Sequence, residues 1–592
     1  MLKGLKKISK YCILTFALTG VTNASASLYT LEEVNGGTSS AFTQGPYAKS
    51  LSNGENPYAV SLMYKNNIFS YFDMGADQFD IGQVIHRVYD CPNYFSTDVC
   101  EILWETSGAR KWRDDFIQHK SQYSSILNNV ESVDTDMLVY KVGDNGETFG
   151  SKVDYSQQRA LNGFDTYGVA KIDGKTFYLK SPTEDYFYRD KESIGNLATA
   201  LTYYKLPSGK YLVGGYSQID KNRSDDRMSY CLNYLASEYG DGNYYNSFCP
   251  SFKTEATIWL IDPSQMNDGD FIKGTHAPRY LDMGRDENVI STASVTSFVE
   301  FEGKIYALGY STTDEYYGVR AFSPVATYWG ITVNETDNTV EFGEISELKD
   351  LERPGEGDGW NAYTWVQSVN NNGYIVANRQ LNKSENSTYA RNLVISKLTA
   401  DGKTEKISYP LFGNIAKGFS SEGMSINDDN FVVGLCDDRE YYNVPTSGGS
   451  PKPKEAMFYD LNAAKFYRIN DFICSKTDGN EDCSINGAYY YIERAIDIND
   501  KNYILATAFK YANQTDWSKR QNASVVTVLL KPNDSTFVTD AEGKKAINES
   551  EIVEYNRVKP NYYKKDNGGG SFGVFGLIML MLSAVLLKRR KV

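Results

Sequence analysis

Short apolar runs separated by polar turns recur along most of the chain, and they predict strands joined by tight hairpins. Asn, Asp and Gly supply the positive φ angles that such hairpins need, while a small residue in the second strand lets two backbones approach closely. In each clear copy an aromatic residue stands five positions after an apolar anchor, and Gly or Ala stands at eight. The five copies run Leu206–Gly214, Phe301–Gly309, Val369–Ala377, Ile426–Gly434 and Ile498–Ala506.

The spacing of these copies leaves room for one four-stranded unit of about 40–45 residues, with its loops, in each interval. Looser copies start at Tyr64 and Ile172, and the second fits the outer hairpin of such a unit. The sequence therefore predicts an all-β fold, a β-propeller of about six or seven blades over residues 134–558. Residues 28–34 predict one strand. We assign residues 27–75 to the first strands and to closure of the ring. An N-terminal strand that completes the last blade would remove an exposed sheet edge.

The pattern changes over residues 76–133, where apolar residues take helical spacing. We interpret this range as a partly helical insertion, which serves either as a binding face or as a structural cap. The residues at helical spacing are Ile81, Val84, Ile85 and Val88, and more loosely Phe116, Ile126, Leu127 and Val130.

Both ends of the chain carry targeting signals. Four lysines precede an apolar run from Tyr11 to Leu18, and the small residues Ala24 and Ala26 fit a cleavage site, so residues 1–26 predict a signal peptide. Residues 559–571 form a Gly-rich linker, residues 572–587 predict a transmembrane helix, and residues 588–592 form a basic tail that should stay in the cytoplasm. We therefore expect an exported protein that is anchored in the inner membrane and faces the periplasm.

The glycine run Gly568, Gly569, Gly570 and Ser571, followed by the helix and the basic tail, closely resembles the GlyGly C-terminal sorting signal of gammaproteobacteria. That resemblance implies cleavage near the glycines by a rhomboid-type sorting protease, rhombosortase, and delivery to the outer membrane or cell surface. Glycines suit such a cut because they unwind easily from a helix. A plain membrane anchor with a flexible linker is the alternative.

Export makes disulfides plausible, and three local pairs are candidates: Cys91–Cys100, Cys231–Cys249 and Cys474–Cys483. Spacing does not establish the connectivity. Cys436 lies just past the central repeat and is expected to be a buried thiol.

The repeats resemble the HAF family of extracellular repeats, which is named for a His-Ala-Phe triplet. The matching triplets begin at Glu255, Arg320 and Glu455, so the first position is never His and the resemblance is partial. It covers roughly residues 160–530. The layout also looks like an uncharacterised family of exported gammaproteobacterial proteins, which has no established activity to transfer.

The sequence offers little that points to catalysis. His86, His119 and His276 lack metal-ligand spacing, and neither a Cys-x-x-Cys motif nor a Gly-rich phosphate loop occurs, so we predict no bound cofactor. Weak calcium-loop patterns begin at Asp220 and Asp478, with solvated turns as the simpler reading. The net charge of −14, with both chain ends basic, argues against nucleic acid as a partner.

Two functions remain. We expect a binding or scaffold module for a protein or glycan ligand, with a carbohydrate-active enzyme that uses loop carboxylates as the alternative. A third hypothesis is a structural component of the cell envelope that has no discrete ligand. The relevant acidic pairs begin at Asp225, Asp428 and Asp437, and the tyrosine clusters begin at Tyr244, Tyr316, Tyr441 and Tyr489.

Overall fold

The computed structural model describes β-strands almost throughout. The described residues are 27–34, 44–54, 56–64, 122–126, 137–158, 164–183, 186–188, 192–218, 254–278, 293–312, 324–349, 351, 361–385, 388–408, 420–438, 454–477, 480–519 and 522–553. They begin with β1 (Tyr29–Glu33), whose apolar residues alternate with polar ones as expected of a strand with one buried face.

Seven sheets of three to five strands, antiparallel except for one parallel edge strand in sheet 2, then follow one another in chain order within the described residues, with β1 added to the last sheet. Sheet 1 contains β2 (Gln44–Leu51), β3 (Ala59–Tyr64) and β4 (Gln122–Ile126). Sheet 2 contains β5 (Met137–Val142), β6 (Thr148–Gln158), β7 (Phe164–Ile172) and β8 (Lys175–Lys180). The two-stranded β9 (Tyr186–Tyr188) and β10 (Glu192–Gly195) come next. Sheet 3 contains β11 (Ala198–Lys205), β12 (Tyr211–Gln218), β13 (Thr254–Ile261) and β15 (Thr275–His276), while β14 (Phe271–Lys273) joins the edge of sheet 2.

The second half of the chain repeats this arrangement. Sheet 4 contains β16 (Ala293–Phe301), β17 (Lys304–Thr312), β18 (Pro324–Asn334) and β19 (Thr339–Glu347). Sheet 5 contains β20 (Asn361–Val369), β21 (Tyr374–Glu385), β22 (Thr388–Leu398) and β23 (Thr404–Ser408). Sheet 6 contains β24 (Ser421–Ile426), β25 (Phe431–Asp437), β26 (Lys454–Asp460) and β27 (Lys465–Arg468). Sheet 7 contains β30 (Ser484–Ile485), β31 (Ala488–Ile498), β32 (Ile504–Tyr511), β33 (Ser524–Pro532) and β1.

Small elements fill the remaining described segments. Helix α1 (Ile469–Phe472) follows sheet 6, and helix α2 (Gln514–Lys519) lies between β32 and β33. Two hairpins, β28 (Ser475–Thr477) with β29 (Asn480–Asp482) and β34 (Phe537–Thr539) with β35 (Lys545–Ile547), and a 3₁₀ turn (Glu549–Glu551) complete the set. Among the described residues, neither helix has the length and apolar character needed to cross a membrane.

Each sheet buries one face against the next sheet. Separate apolar clusters join sheets 2 and 3, 3 and 4, 4 and 5, 5 and 6, and 6 and 7. Another cluster joins sheets 6 and 7 to sheet 1 through Leu435, Leu529 and Ala59, and a further one joins sheet 1 to sheet 2 through Val60 and Val169. The last sheet therefore packs against the first, and both faces of most strands are buried, which explains why β12 and β25 are buried at every residue.

The first strand of each sheet carries a β-bulge at which one extra residue stands opposite its partner strand. In sheet 7 we count β31 as the first strand, because β30 has only two residues. Bulge residues contact the next sheet, since Lys49 Nζ lies 5.0 Å from the ring centre of its counterpart Tyr140, and Thr296 Oγ1 donates at 2.8 Å to Val366 O, next to the counterpart Gln367. The first strands are thus the inner strands of the assembly. The extra residues at the equivalent position are Lys49, Tyr140, Leu201, Thr296, Gln367, Met424 and Ile496, and β2, β20 and β31 each have a second register shift.

A glycine in the second strand allows the first two strands of four sheets to touch. An added Cβ on Gly434 would lie 1.9 Å from Glu422 O, and one on Gly309 would lie 1.9 Å from Ser294 O. The predicted close approach of backbones is confirmed at both positions. In the Leu206 copy the residue that makes this approach is Gly215, opposite Thr199 O, and the predicted Gly214 instead contacts the side chains of sheet 4.

Other predictions of local structure have mixed outcomes. The strand predicted over residues 28–34 is β1, which pairs with β33, and the Ile172 copy is the hairpin between β7 and β8, in the outer half of sheet 2 as expected. Ile126, assigned to a helical face, lies instead in β4, because its backbone pairs with Val60 of β3. The rest of the predicted helical insertion (residues 76–121 and 127–133), the signal peptide and the C-terminal helix lie outside the described residues.

Candidate functional site

The hairpin turns between the first two strands of sheets 5, 6, 7 and 1 are tied together by buried asparagines. Asn370 Nδ2 donates to Asn427 O at 2.8 Å, and Asn427 Nδ2 donates to Asn499 O at 3.0 Å. Asn499 Nδ2 continues the series by donating to Ser52 O at 3.0 Å. Because each amide meets a backbone carbonyl in the next turn, these side chains fix the position of one sheet relative to its neighbour.

A second series of hydrogen bonds runs through the next residue of each turn. The backbone N–H of Asn371 donates to Asp428 Oδ1 at 2.9 Å, and that of Asp428 donates to Asp500 Oδ1 at 2.9 Å. The N–H of Asp500 then donates to Asn53 Oδ1 at 3.1 Å, and the N–H of Asn53 donates to Asp144 Oδ1 at 2.6 Å. Five consecutive sheets, including the last and the first, therefore share one hydrogen-bonded face, which we call the turn face.

Several carboxylates of the turn face converge. Burial raises the pKa of Asp500, and the nearby charges of Asp428, Asp429 and Asp144 raise it further, against the lowering effect of the hydrogen bond from the Asp428 backbone. Raised carboxyl pKa values are found at catalytic sites, but also in structural networks. Here the oxygens of Asp428, Asp500 and Asp144 accept backbone N–H groups, so these acids hold the turns together.

An open cleft of about 580 Å³ lies on the turn face. It crosses the turns of sheets 4, 5 and 6 and reaches the hairpin formed by β34 and β35, so side chains from distant parts of the chain meet in it. Its lining is mostly polar, unlike the largely apolar lining of a typical small-molecule pocket. The lining residues are Phe301, Glu302, Asn371, Asn372, Tyr374, Lys397, Asp428, Asp429, Asn430, Asn462, Gly543, Lys544 and Lys545.

Hydrogen bonds fix the floor of the cleft. Lys545 Nζ and Asn502 Nδ2 both donate to Asp429 Oδ2, at 2.7 and 2.9 Å. Asn372 Nδ2 donates to Asp428 O at 2.7 Å, and Asn462 Nδ2 donates to Asp429 O at 2.9 Å. Side chains held by such bonds offer a ligand a fixed geometry, which lowers the entropy lost on binding.

Other lining groups remain available to a ligand. Within the described part of the chain, neither the Glu302 carboxylate nor Lys544 Nζ has a side-chain partner, and both residues are exposed. The Lys397 ammonium group lies 4.5 Å from the centre of the half-buried Tyr374 ring. The cleft thus combines a carboxylate, ammonium groups and an aromatic ring above a fixed polar floor.

A different set of charges gathers at the opposite end of β25, about 20 Å from the turn face at the usual rise per residue of a strand. Lys454 Nζ donates to Asp437 Oδ1 at 2.8 Å, and Tyr491 Oη donates to Asp438 Oδ2 at 2.9 Å. Arg468 Nε donates to Glu455 Oε2 at 2.9 Å. The three carboxylates are at most 1% exposed, so this buried ionic cluster satisfies its acids with protein groups.

The structure tests only part of the predicted cysteine pairing. Cys474 and Cys483 form the expected disulfide, with an S–S distance of 2.00 Å, and Cys436 is the buried thiol that was predicted. The other four disulfide candidates lie outside the described residues. So do Ala24 and Ala26 of the cleavage site and the sorting motif at Gly568, Gly569, Gly570 and Ser571.

The remaining candidate residues are placed as follows. The acids at Asp428 and Asp437 lie at opposite ends of β25 and are not brought together, while the pair at Asp225 lies outside the described ranges. Tyr489, expected in a loop cluster, lies in β31 beside Trp517, because β31 packs between neighbouring sheets. Asp220 and Asp478 lie outside the described residues. Among the residues that the structure describes, no three His, Cys, Asp or Glu side chains group closely enough to hold a metal ion.

Sequence reasoning missed the cleft altogether. Its lining residues come from turns that stand far apart in the chain, so their meeting depends on how the sheets are arranged. A partial signal was present, since Asn370–Asn372 and Asn427–Asn430 concentrate amides and acids in turns that need only one or two such residues.

Comparison with solved structures gives only distant likenesses. A mutant form of the levansucrase from Bacillus subtilis has 12% identity and a TM-score of 0.28, over 60% of this chain and 85% of that one. A leech intramolecular trans-sialidase has 8% identity and a TM-score of 0.28, over 85% and 70%, and a glycoside hydrolase has 10% identity and a TM-score of 0.27, over 57% and 91%. Scores this low support no argument about fold or activity.

Comparison at the level of sequence is more informative. No curated protein matches the chain. One family model, however, matches residues 9–561, which include every described sheet, both hydrogen-bonded series of the turn face and the whole cleft. The extent of that match decides the family: the chain belongs to the family described as protein of unknown function (DUF3466).

Proposed function

We propose that the protein is a seven-bladed β-propeller that binds a neutral glycan in the cleft of its turn face. Each of the seven sheets would be one blade, with its first strand innermost and β1 completing the last blade. The observation that carries the binding function is the cleft itself, where a fixed polar floor lies beneath exposed groups that have no structural partner.

The propeller proposal follows from the packing. Each sheet contacts the next through an apolar cluster, and sheet 7 contacts sheet 1 in the same way. The hydrogen bonds from Asn499 to Ser52 and from Asp500 to Asn53 cross that junction as well. In a propeller, antiparallel sheets pack radially around one central axis, and the first strand of each sheet lies nearest that axis.

The chemistry of the cleft favours a sugar. Lining carboxylates and lysines are equal in number (Glu302, Asp428 and Asp429 against Lys397, Lys544 and Lys545), so the cleft has no strong preference for a charged ligand. Amide, carboxylate and ammonium groups bind hydroxyls, while the Tyr374 ring offers a flat apolar surface to the C–H face of a sugar. An apolar ligand would leave these polar groups desolvated and unpaired.

Binding of neutral oligosaccharides to the purified full chain, measured on a glycan array and then by calorimetry, tests this proposal. Replacing Glu302→Gln together with Lys544→Ala removes two exposed cleft groups without touching the floor, and we expect affinity to fall about tenfold or more. Lys501→Ala is the matched control, since it removes an exposed lysine from another turn of the same face. Unchanged affinity in the double variant, or no binding to any neutral glycan, would refute the proposal.

A carbohydrate-active enzyme is the second candidate, and the buried ionic cluster at the far end of β25 is the observation that favours it. A glycosidase needs two carboxylates that face each other across the scissile bond. In this cluster Asp437, Asp438 and Glu455 are instead engaged by Lys454, Tyr491 and Arg468, so we rank binding above hydrolysis. Release of reducing ends from a polysaccharide panel, lost in Asp438→Asn, would reverse this ranking.

Export, anchoring and sorting belong to the same proposal. The signal peptide, the C-terminal helix and the glycine motif would bring the protein to the envelope surface, where a glycan-binding module is useful. Mass spectrometry of the protein from envelope fractions is the test: we expect Ser27 as the first residue and a C-terminus near Gly568–Ser571. Recovery of a chain that still ends at Val592 would reject sorting and leave a plain anchor.

A further inference from the structure

An aromatic platform lies on sheet 2, away from the turn face. The chain that connects β13 to β15 sends β14 back to the edge of sheet 2, where β14 pairs in parallel with β8. Parallel pairing sets Phe271 beside Tyr178 and Lys273 beside Lys180, all on one face. Ile272 and Leu179 alternate to the other face and are buried in the cluster between sheets 2 and 3, which holds β14 in place.

The rings of the platform are in contact. The ring centres of Phe271 and Tyr178 lie 5.2 Å apart with an interplanar angle of 29°, so these two rings are stacked. Tyr167 of β7 approaches Phe271 at 5.3 Å with an angle of 67°. Lys180 Nζ lies 4.0 Å from the centre of the Phe271 ring. Such contacts fix the orientation of the rings, so the platform is preorganised.

Phe271 is 54% exposed, which makes it one of three exposed large apolar side chains among the described residues. An exposed ring contributes little to folding, because the apolar area it leaves in water gives no burial energy. Ile272 already anchors β14, so the fold does not require an aromatic residue at position 271. An exposed aromatic surface rimmed by polar groups is typical of a ligand site.

The charge on the platform indicates the ligand. Lys180 and Lys273 lie beside each other next to the rings. Lys171 shares their face, because it lies two residues along β7 from Val169, and Val169 stands opposite Tyr178. The chain as a whole has a net charge of −14. On this face β8 and β14 contribute two lysines and no acid, and the one acid on the same face of β7, Asp165, is only 2% exposed, so the lysines form a local positive surface. Rings complement the C–H face of a sugar, and the ammonium groups complement carboxylates.

We propose that Tyr178, Phe271, Lys180 and Lys273 form a binding platform for an acidic polysaccharide whose sugar rings carry carboxylates. Stacked rings would hold one or two sugar units, and the lysines would pair with their carboxylates. The platform lies on an edge strand of sheet 2, while the cleft spans sheets 4 to 6, so this proposal is independent of the neutral-glycan site. The two sites would let one protein bridge two polysaccharides.

Affinity electrophoresis of the full chain in gels that contain polygalacturonate tests the proposal, with the same polymer after carboxyl reduction as the uncharged probe. We expect retardation by the acidic polymer only, and progressive loss of it with added salt. Phe271→Ala should weaken binding about tenfold or more, whereas Phe271→Tyr should retain it. Lys273→Glu, at an exposed position, should abolish retardation without affecting folding.

Val538→Ala is the matched control, because Val538 is 50% exposed and lies in β34, outside sheet 2. Thermal melts of each variant separate lost binding from lost folding. Equal retardation by the reduced polymer, retention of binding in both Phe271→Ala and Lys273→Glu, or binding only to anionic vesicles or to protein would overturn the proposal. Intact polygalacturonate binding in the cleft variant would support a separate site on sheet 2, whereas loss of that binding in the cleft variant would overturn the proposal.

Discussion

Replacing Gly434 with Ala is the sharpest test of how the sheets are built. An added Cβ would lie 1.9 Å from the carbonyl oxygen of Glu422, a backbone atom of the adjacent strand, whereas ordinary contact begins near 3.4 Å. Gly434 pairs directly with Gly423 in the ladder between β24 and β25. The two strands must therefore separate by more than an ångström at this rung.

The cost follows from that displacement. Forcing an extra methyl group into a packed interior costs about 1–3 kcal/mol, and each buried backbone group that loses its hydrogen bond adds about 1–3 kcal/mol. Against these terms, Ala gains roughly 0.4–1 kcal/mol over Gly by restricting the unfolded chain. We therefore expect Gly434→Ala to lower the free energy of unfolding by about 3 kcal/mol.

Urea unfolding of the full chain, followed by tryptophan fluorescence, measures this change, and hydrogen exchange in β24 and β25 localises it. Gly330→Ala is the matched control, because Gly330 also lies in a strand and an added Cβ there would have nothing within 4 Å. We expect the control to stay within about 0.5 kcal/mol of the parent. A Gly434→Ala protein as stable as the control would refute the close-approach argument.

Three further predictions follow from the turn face and the disulfide. In thermal melts, Asp500→Asn should stabilise the protein at pH 7 and have no effect near pH 3. The raised pKa of Asp500 favours folding at low pH, and this contribution is lost as the pH rises through the folded pKa, whereas Asn stays neutral at both pH values. A variant that is less stable than the parent at pH 7 would contradict this prediction. Asn427→Ala should cost about 2 kcal/mol or more in urea unfolding, since Asn499 O and the Phe431 N–H lose their partner, whereas exposed Asn462→Ala should cost less. Replacing both Cys474 and Cys483 with Ser should cost roughly 2–3 kcal/mol for a loop this short, an effect that a reducing agent should reproduce in the parent and not in the variant.

The hairpins could be predicted because their chemistry is local. Asn430 and Asn502 adopt the positive φ angles that the sequence pattern requires, with values of 66° and 62°. The pattern nevertheless missed the copy from Val142 to Gly150, which has Glu147 where the others have an aromatic residue. Glu147 accepts a hydrogen bond from Tyr211 Oη of the next sheet at 2.9 Å, so a contact between sheets replaces the missing ring.

The candidate site could not be predicted, because the contacts that make it join residues far apart in the chain. Asp428 lies in a hairpin turn, where the sequence pattern places Asn, Asp and Gly, yet its carboxylate also accepts the backbone N–H of Asn371 in the neighbouring sheet. The β34–β35 hairpin lies beyond the last sheet in sequence but places Lys545 on the cleft floor, against Asp429. Neither fact has a local signature, since both depend on which sheets are neighbours.

The closure between the two ends of the described chain bears on the predicted processing. Asn533 Nδ2 donates to Ser27 O at 2.6 Å, and Thr536 Oγ1 donates to Leu28 O. Tyr29, the first residue of β1, then pairs with Pro532 and stacks against Phe472. Cleavage after Ala26 would retain each of these contacts, whereas cleavage even one residue later would remove a carbonyl that the closure uses. Ser27, the first residue of the described ranges, directly follows the predicted end of the signal peptide. A mature protein that begins at Ser27 would therefore keep every contact that holds β1 against β33 in sheet 7.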